Sequence, residues 1–285
     1  LEQGCTSYFI TLATNTLSLF QEAIGIHALA KPQASLGMHL EGPFLNQQKR
    51  GAHPAALIIP ASKEHILSLG ADFAEVVKMI TVAPELVDPA LIAWLMEQGI
   101  VISAGHSAAT CAQAKAAFEL GIPAVTHLWN AMSTFHHRDV GLPGALFSDT
   151  KACASIIVDG IHVSYEAVRL SKQLLGERLF LITDAVASCA EGIYQHELKN
   201  DHFVLPDGTL SGSALTLLRA VQNCVEKVGI PLDESLRMAT LYPSRLIKRS
   251  DLGDLQVGSV ANVLVFDDDF SVAHVFLNGE SQLDV

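Results

Sequence analysis

Five polar residues close or closely follow apolar runs in this sequence. Glu41 ends SLGMHLE, His106 ends GIVISAGH, His127 falls near the end of IPAVTHL, His162 follows ACASIIVDG, and Asp184 ends RLFLITD. A buried run seldom finishes on an ionisable group unless a metal, a proton or a hydrogen bond compensates it. Imidazole nitrogen and carboxylate oxygen suit zinc or another divalent transition ion, and hydrolytic metal sites use three protein ligands beside an open position. Glu41, His106 and His127 form such a ligand set. Asp184, on the most apolar of the runs, is the candidate acid/base, because a carboxylate can take and return a proton. His53, in KRGAHP after Glu41, can point back over a pocket and polarise a carbonyl. Each residue also has a plainer reading: a strand-end histidine bonded to a carbonyl, a helix-cap carboxylate for Glu41, an Asx-turn acceptor for Asp184, a surface loop residue for His53. Their convergence favours a site.

Side chains so spread along a chain can meet only if parallel strands deliver them to one face, as barrel enzymes do at the C-terminal ends of their strands. Brief apolar runs alternate with helix-like segments, the rhythm of βα units. The strand candidates are CTSYFITLA, SLGMHLE, VVKMITVAP, GIVISAGH, IPAVTHL, ACASIIVDG and RLFLITDA, with amphipathic stretches such as KEHILSLGADFAE, PALIAWLMEQG and CAQAKAAFELG between them. A closed barrel needs eight strands. The fold expected is therefore α/β, a (β/α)8 barrel of the TIM type. Its first strand is expected to lie in an absent N-terminal part, since the sequence starts without Met and at the approach to a strand. A doubly wound open sheet is the rival, but no Gly-rich phosphate loop follows the opening strand. After Asp184 come a turn-rich stretch, EGIYQHELKNDHFVLPDGTLSGS, helices around SALTLLRAVQNCVEKVG and DESLRMATLYPSRLI, and short alternating strands with Gly and Asp turns. We read residues 1–250 as the barrel and 251–285 as C-terminal strands of a small β-sandwich.

Composition narrows the function classes. Hydrophobic residues make up 49% and charged residues 17% of 285, which suits strands covered on both faces and opposes disorder. With 30 acidic against 18 basic residues, the net charge of −12 opposes nucleic-acid binding, which needs a basic footprint. An anionic substrate must then be met by a few local cations. Cys5, Cys111, Cys153, Cys189 and Cys224 are odd in number and without CxxC spacing, so no disulfide framework or thiolate zinc site is indicated and a cytoplasmic setting fits. No apolar run has the length of a membrane span, so no membrane partner is expected.

The motifs HLEGPFLN (39–46), RGAHP (50–54), SAGHSAAT (103–110), THLWNAM (126–132), DGIHV (159–163), LITDA (181–185), GTLSGSAL (208–215) and MATLYPSR (238–245) together resemble the N-acetylglucosamine-6-phosphate deacetylase family. The similarity spans nearly the whole chain, and the tail LGDLQVGSVANVLVFD resembles the closing sandwich segment of the wider amidohydrolase superfamily. The resemblance implies one or two divalent ions per subunit, zinc foremost, held by Glu41, His106 and His127, with a catalytic carboxylate at Asp184. It implies substrate contacts from His53, Asn130, Ala131, Arg138 and His162. It further implies a homodimer or higher homo-oligomer in which Arg138 reaches a neighbouring subunit's substrate phosphate; a solvated loop arginine is the plainer alternative. Two departures are local: HHRDVG lacks the family's usual Arg-Glu-Pro run, and VASCAEG carries a cysteine where other small residues are commoner.

The chemistry implied is hydrolysis of the acetamide of N-acetylglucosamine 6-phosphate to glucosamine 6-phosphate and acetate. Two alternatives stand beside it: another amidohydrolase reaction, such as cyclic-amide hydrolysis or deamination, and a sugar-phosphate binding protein without catalysis. A serine hydrolase is disfavoured, because no GxSxG elbow occurs near a strand and Ser211 lies in a GTLSGS turn.

Overall fold

The computed structural model describes residues 1–282, so the last three positions of the 251–285 segment lie outside the described residues. Two compact units are found, one made of residues 8–154 and the other of residues 1–7 with 155–285.

The 8–154 unit repeats strand and helix. β1 (Tyr8–Ala13) leads to α1 (Leu17–Ala30), then β2 (Ser35–Glu41), α2 (Lys63–Leu67), α3 (Phe73–Val76), β3 (Val77–Val82), α4 (Pro89–Glu97), β4 (Val101–Ala104), α5 (Cys111–Leu120), β5 (Ala124–Val125), α6 (Gly141–Ser148) and the start of β6 (Cys153–Ile157). Neighbouring strands pair in parallel, with Ala13 opposite Glu41, Glu41 opposite Thr81, Ile80 opposite Ile102 and Ser103 opposite Ala124. Leu40, Ile80 and Ile102 are at most 1% exposed, and burial of each such side chain contributes roughly 1.5–3 kcal/mol. Side-chain caps set the helix starts. Thr16 accepts from the Leu19 amide, and Thr110 and Gln113 form a reciprocal capping box on α5. The amphipathic stretch KEHILSLGADFAE forms two short helices, with Gly70 at φ +100° between them.

In the other unit β6 is followed by α7 (Tyr165–Leu175) and β7 (Leu179–Ile182). The strand order from β1 to β7 is the chain order, which is the succession expected of successive βα units. The turn-rich stretch after Asp184 forms an antiparallel sheet of β8 (Glu197–Lys199), β9 (His202–Val204) and β10 (Leu210–Ser213). Then come α8 (Leu217–Asn223), a π-helical turn at Cys224–Val228, α9 (Leu232–Ala239) and α10 (Leu241–Leu246). β11 (Val263–Phe266), β12 (Val272–Leu277) and β13 (Glu280–Ser281) close the described chain as a second antiparallel sheet. No helix among the described residues is long and apolar enough to cross a membrane.

Candidate metal centre

Within the 8–154 unit, Glu41 is the last residue of β2, His106 lies just past β4, and His127 lies just past β5. Both histidines have left-handed backbones, with φ +46° and +36°. Non-glycine residues seldom adopt such angles, and surroundings must impose them. The turns at the ligand-bearing strand ends are closely packed. A Cβ on Gly105 would come within 2.7 Å of the Thr81 side chain, and one on Gly42 within 2.1 Å of Thr14 Oγ1. Only glycine lets those turns sit against the neighbouring strands.

The ligand atoms converge. Glu41 Oε1 lies 3.2 Å from His106 Nε2 and 3.0 Å from His127 Nε2, and the two Nε2 atoms are 3.0 Å apart. His106 Nδ1 is 2.8 Å from the Lys49 carbonyl, which can only accept, so Nδ1 carries a proton and Nε2 is the ring atom turned to the cluster. Burial pushes the Glu41 carboxyl upward, but hydrogen bonds from His106 and His127 outweigh it and hold the group well below the usual carboxylate range. An ionised carboxylate and the Nε2 atoms of His106 and His127 therefore face a common point. This oxygen and nitrogen donor set fits a divalent cation. The backbone carbonyl on His106 Nδ1 is the outer support that ligating histidines commonly have.

His53 joins the cluster, a grouping with Glu41 and His106 that could itself hold an ion. Its Nε2 is 3.9 Å from Glu41 Oε2 and its ring packs edge-on to His106, centroids 4.4 Å apart. Nδ1 engages Thr14, 2.8 Å from Oγ1 and 3.4 Å from the backbone N. Burial, then the nearby His106, pushes the His53 pKa down to about 3, so the ring is neutral near pH 7.

Asn130 and Ala131 follow in the same loop as His127. The Asn130 side chain donates at 3.4 Å to the His127 carbonyl, and the Ala131 carbonyl accepts from Ser107 N at 3.2 Å. Arg138 is exposed in a turn closed by mutual backbone bonds of His136 and Asp139, with its Nη1 3.0 Å from His137 Nε2. In the other unit, Asp184 lies just past β7 at φ +49°, and its carbonyl accepts from Ser213 N at 3.0 Å. His162 is anchored by Asp159: Oδ2 is 2.5 Å from His162 Nδ1, and Oδ1 accepts from the amides of Ile161 and His162. Burial is the largest single influence on the Asp159 carboxyl and raises it, but the His162 ring and the Ile161 and His162 amides together more than reverse it, leaving it below its ordinary value.

Thr14 was missed in the sequence reading although it follows β1 as Glu41 ends β2. So was Glu85, past β3, with Oε2 2.6 Å from Ser107 Oγ. A buried hydroxyl chain was missed as well: His39 Nε2 to Thr81 at 2.8 Å, Thr81 to Thr126 at 2.7 Å, Thr126 to Ser103 at 2.6 Å. Its one legible signal was the spacing of His39 from Glu41, which places both on one face of β2.

Successive parallel βα units with strand-end histidines and carboxylates define a class of barrel hydrolase, and the chain belongs to the amidohydrolase family, whose profile matches residues 1–281. Among relatives, it is 34% identical over 304 residues to N-acetylglucosamine-6-phosphate deacetylase of Haemophilus influenzae, covering 98% of this chain and 77% of that one. The crystal structure of N-acetylglucosamine-6-phosphate deacetylase from Pasteurella multocida superposes with TM-score 0.93 at 36% identity, covering 100% of this chain and 78% of that one. That of an Asp-to-Ala variant of the Mycobacterium smegmatis deacetylase, in complex with N-acetylglucosamine 6-phosphate, gives 0.91 at 30% identity, covering 98% and 78%. The (β/α)8-type fold with a small antiparallel appendage is thus the one shared with these structures, and the chain is a hydrolase of this family.

Proposed function

We propose that this chain removes the acetyl group of N-acetylglucosamine 6-phosphate, yielding glucosamine 6-phosphate and acetate in amino-sugar catabolism. The observation that carries the reading is the convergence of Glu41 Oε1 with the Nε2 atoms of His106 and His127, in a chain whose relatives are named for this reaction.

Glu41, His106 and His127 would hold the cation, zinc foremost, as one ion or as one of a pair. When bound, a divalent cation supplies Lewis acidity to a carbonyl oxygen and acidifies a water. The remaining chemistry falls to side chains. Asp184 takes a proton from the attacking water and returns it to the amine nitrogen as the C–N bond breaks, so the carboxylate ends as it began. His53, held at Nδ1 by Thr14, donates in its Nε2–H tautomer to the developing oxyanion, worth roughly 3–4 kcal/mol by analogy with other oxyanion donors. Asn130, Ala131 and His162 contact the sugar phosphate. Arg138 offers a planar fork to the phosphate from a neighbouring subunit of a homodimer; its exposure and the net charge of −12 support that role.

The domain reading assigns residues 1–250 to the barrel and 251–285 to sandwich strands, supported by the antiparallel β11 to β13. A cytoplasmic setting is supported by the free thiols of Cys5, Cys111, Cys189 and Cys224.

The test is acetate release from N-acetylglucosamine 6-phosphate, its galacto epimer, the unphosphorylated sugar and a cyclic amide, with and without added zinc. Preference for the first in a metal-dependent reaction is expected. Turnover of the cyclic amide alone would move the chain to another amidohydrolase reaction, and binding without turnover under every metal would make it a sugar-phosphate binding protein.

A further inference from the structure

His106 is held from two sides, and both supports lead to one carboxylate that the chemistry above does not use. Glu85 lies in the short helical turn Pro84–Leu86 that follows β3. Its Oε1 accepts from Asn46 Nδ2 at 2.9 Å and from the Ala108 amide at 2.7 Å, while its Oε2 accepts from Ser107 Oγ at 2.6 Å. Bonds of such lengths to a carboxyl group are at the short, strong end of their range.

The first support reaches the ring. Asn46 caps the turn Gln47–Lys49, its Oδ1 accepting from the Gln48 amide at 2.9 Å, and the Lys49 carbonyl at the end of that turn accepts from His106 Nδ1 at 2.8 Å. Asn46 N also donates to the His106 carbonyl at 2.9 Å. The second support reaches the backbone. Ser107 and Ala108, both gripped by Glu85, are the next two residues after His106, and Ser107 Oγ accepts in turn from the Ala109 amide at 3.1 Å. His106 itself keeps φ +46°, a conformation its surroundings must impose.

We propose that Glu85 is the positioning residue for His106, fixing both the strained backbone and the ring of this ligand so that Nε2 is aimed before a cation arrives. The proposal rests on the reading that Glu41, His106 and His127 hold a divalent cation. Because Glu85 acts through the ligand, its loss weakens cation binding more than it weakens the fold.

Zinc affinity measured on the whole metal-free chain by competition with a chromophoric chelator tests this, alongside the thermal melt of the same metal-free samples. Glu85→Ala should weaken zinc binding about 10- to 100-fold, the range typical of lost outer-shell partners, while the metal-free melt moves by only a few degrees. Glu85→Gln should recover most of the affinity, because an amide oxygen still accepts from Asn46 and Ala108 and the Ser107 hydroxyl can turn to accept from the amide nitrogen. Zinc affinity within about twofold of wild type in Glu85→Ala would overturn the proposal. Should that variant not fold, Asn46→Ala and Ser107→Ala cut the two supports one at a time, and wild-type affinity in both overturns it equally. Wild-type protein that binds zinc no better than His106→Ala would instead sink the cation reading, and this role with it.

Discussion

Glu41, His53, His106 and His127 are only 4–7% exposed and interlock through their own ring and carboxylate contacts, whereas Asn130, Ala131 and Asp184 are half-exposed and Arg138 is exposed. His162 stands between the two groups, with its side chain 6% exposed and tied to Asp159. The contrast follows from what each set is asked to do. Ligands that share one ion must be fixed against mutual repulsion and desolvation before it binds, which takes a dense interior. Under the proposed roles, Asn130, Ala131, Asp184 and Arg138 must stay reachable from solvent for a substrate to meet them. Rigidity is concentrated where charge is gathered, and openness where a molecule must enter.

The comparison breaks most completely at the ligands. His106→Ala or His127→Ala should take activity to background and metal content down with it, since each removes one of three ligands; elemental analysis beside an acetate assay checks both, and full occupancy with intact turnover would make these histidines structural. Asp184→Asn, in the open set, should keep metal and substrate binding but lose roughly 10²- to 10⁴-fold in kcat, because the amide cannot shuttle a proton; near-normal kcat removes the assignment. Arg138→Ala should raise KM about 10- to 100-fold, the equivalent of one or two charge-assisted hydrogen bonds, with kcat little changed. Mixing it with Asp184→Asn sharpens the point when substrate is held well below the wild-type KM, where Arg138→Ala alone has lost about 10- to 100-fold: if subunits exchange, roughly a quarter of wild-type activity should return from dimers with one complete site. No recovery despite proven exchange places the arginine within its own subunit or outside the reaction.

A last effect, on stability and not on turnover, belongs to the interior. Burial pushes the His39 pKa down to about 4. The folded value lies below the unfolded value of about 6.5, so on acidification the unfolded chain binds this proton first. Stability is therefore full above about pH 6.5 and is lost as pH falls toward 4, by on the order of 3 kcal/mol from this residue. Denaturant melts of metal-free His39→Gln at pH 7 and pH 4.5 should show a shallower pH dependence than wild type. Equal slopes would contradict it.

The βα rhythm was legible because parallel strands read as continuous apolar runs, and all seven expected strands are present. Glu41, His106 and His127 were legible for a related reason: an ionisable group at the end of such a run is costly and so informative. Boundaries were less so. IPAVTHL contains only the short strand Ala124–Val125: Thr126 N still donates to the Ala104 carbonyl, but His127 turns into the left-handed region and ends the run. Glu85, Thr14 and the Ser103, Thr81 and Thr126 hydroxyls were not legible, because their meaning depends on which neighbours the register brings opposite. Threonine in a strand is ordinary until Glu41 is found across from it at Thr81.

The left-handed backbone at His106, His127 and Asp184 bears on how this chain can be re-engineered. Few residue types tolerate that region: glycine, and among the rest mainly Asn, Asp and His. Two of these, His and Asp, are also types that bind cations and carry protons. A combinatorial library at the three positions therefore has a small foldable alphabet, and much of it is already chemically competent. Chemistry at these corners can be exchanged among those letters without rewriting the strands that lead to them.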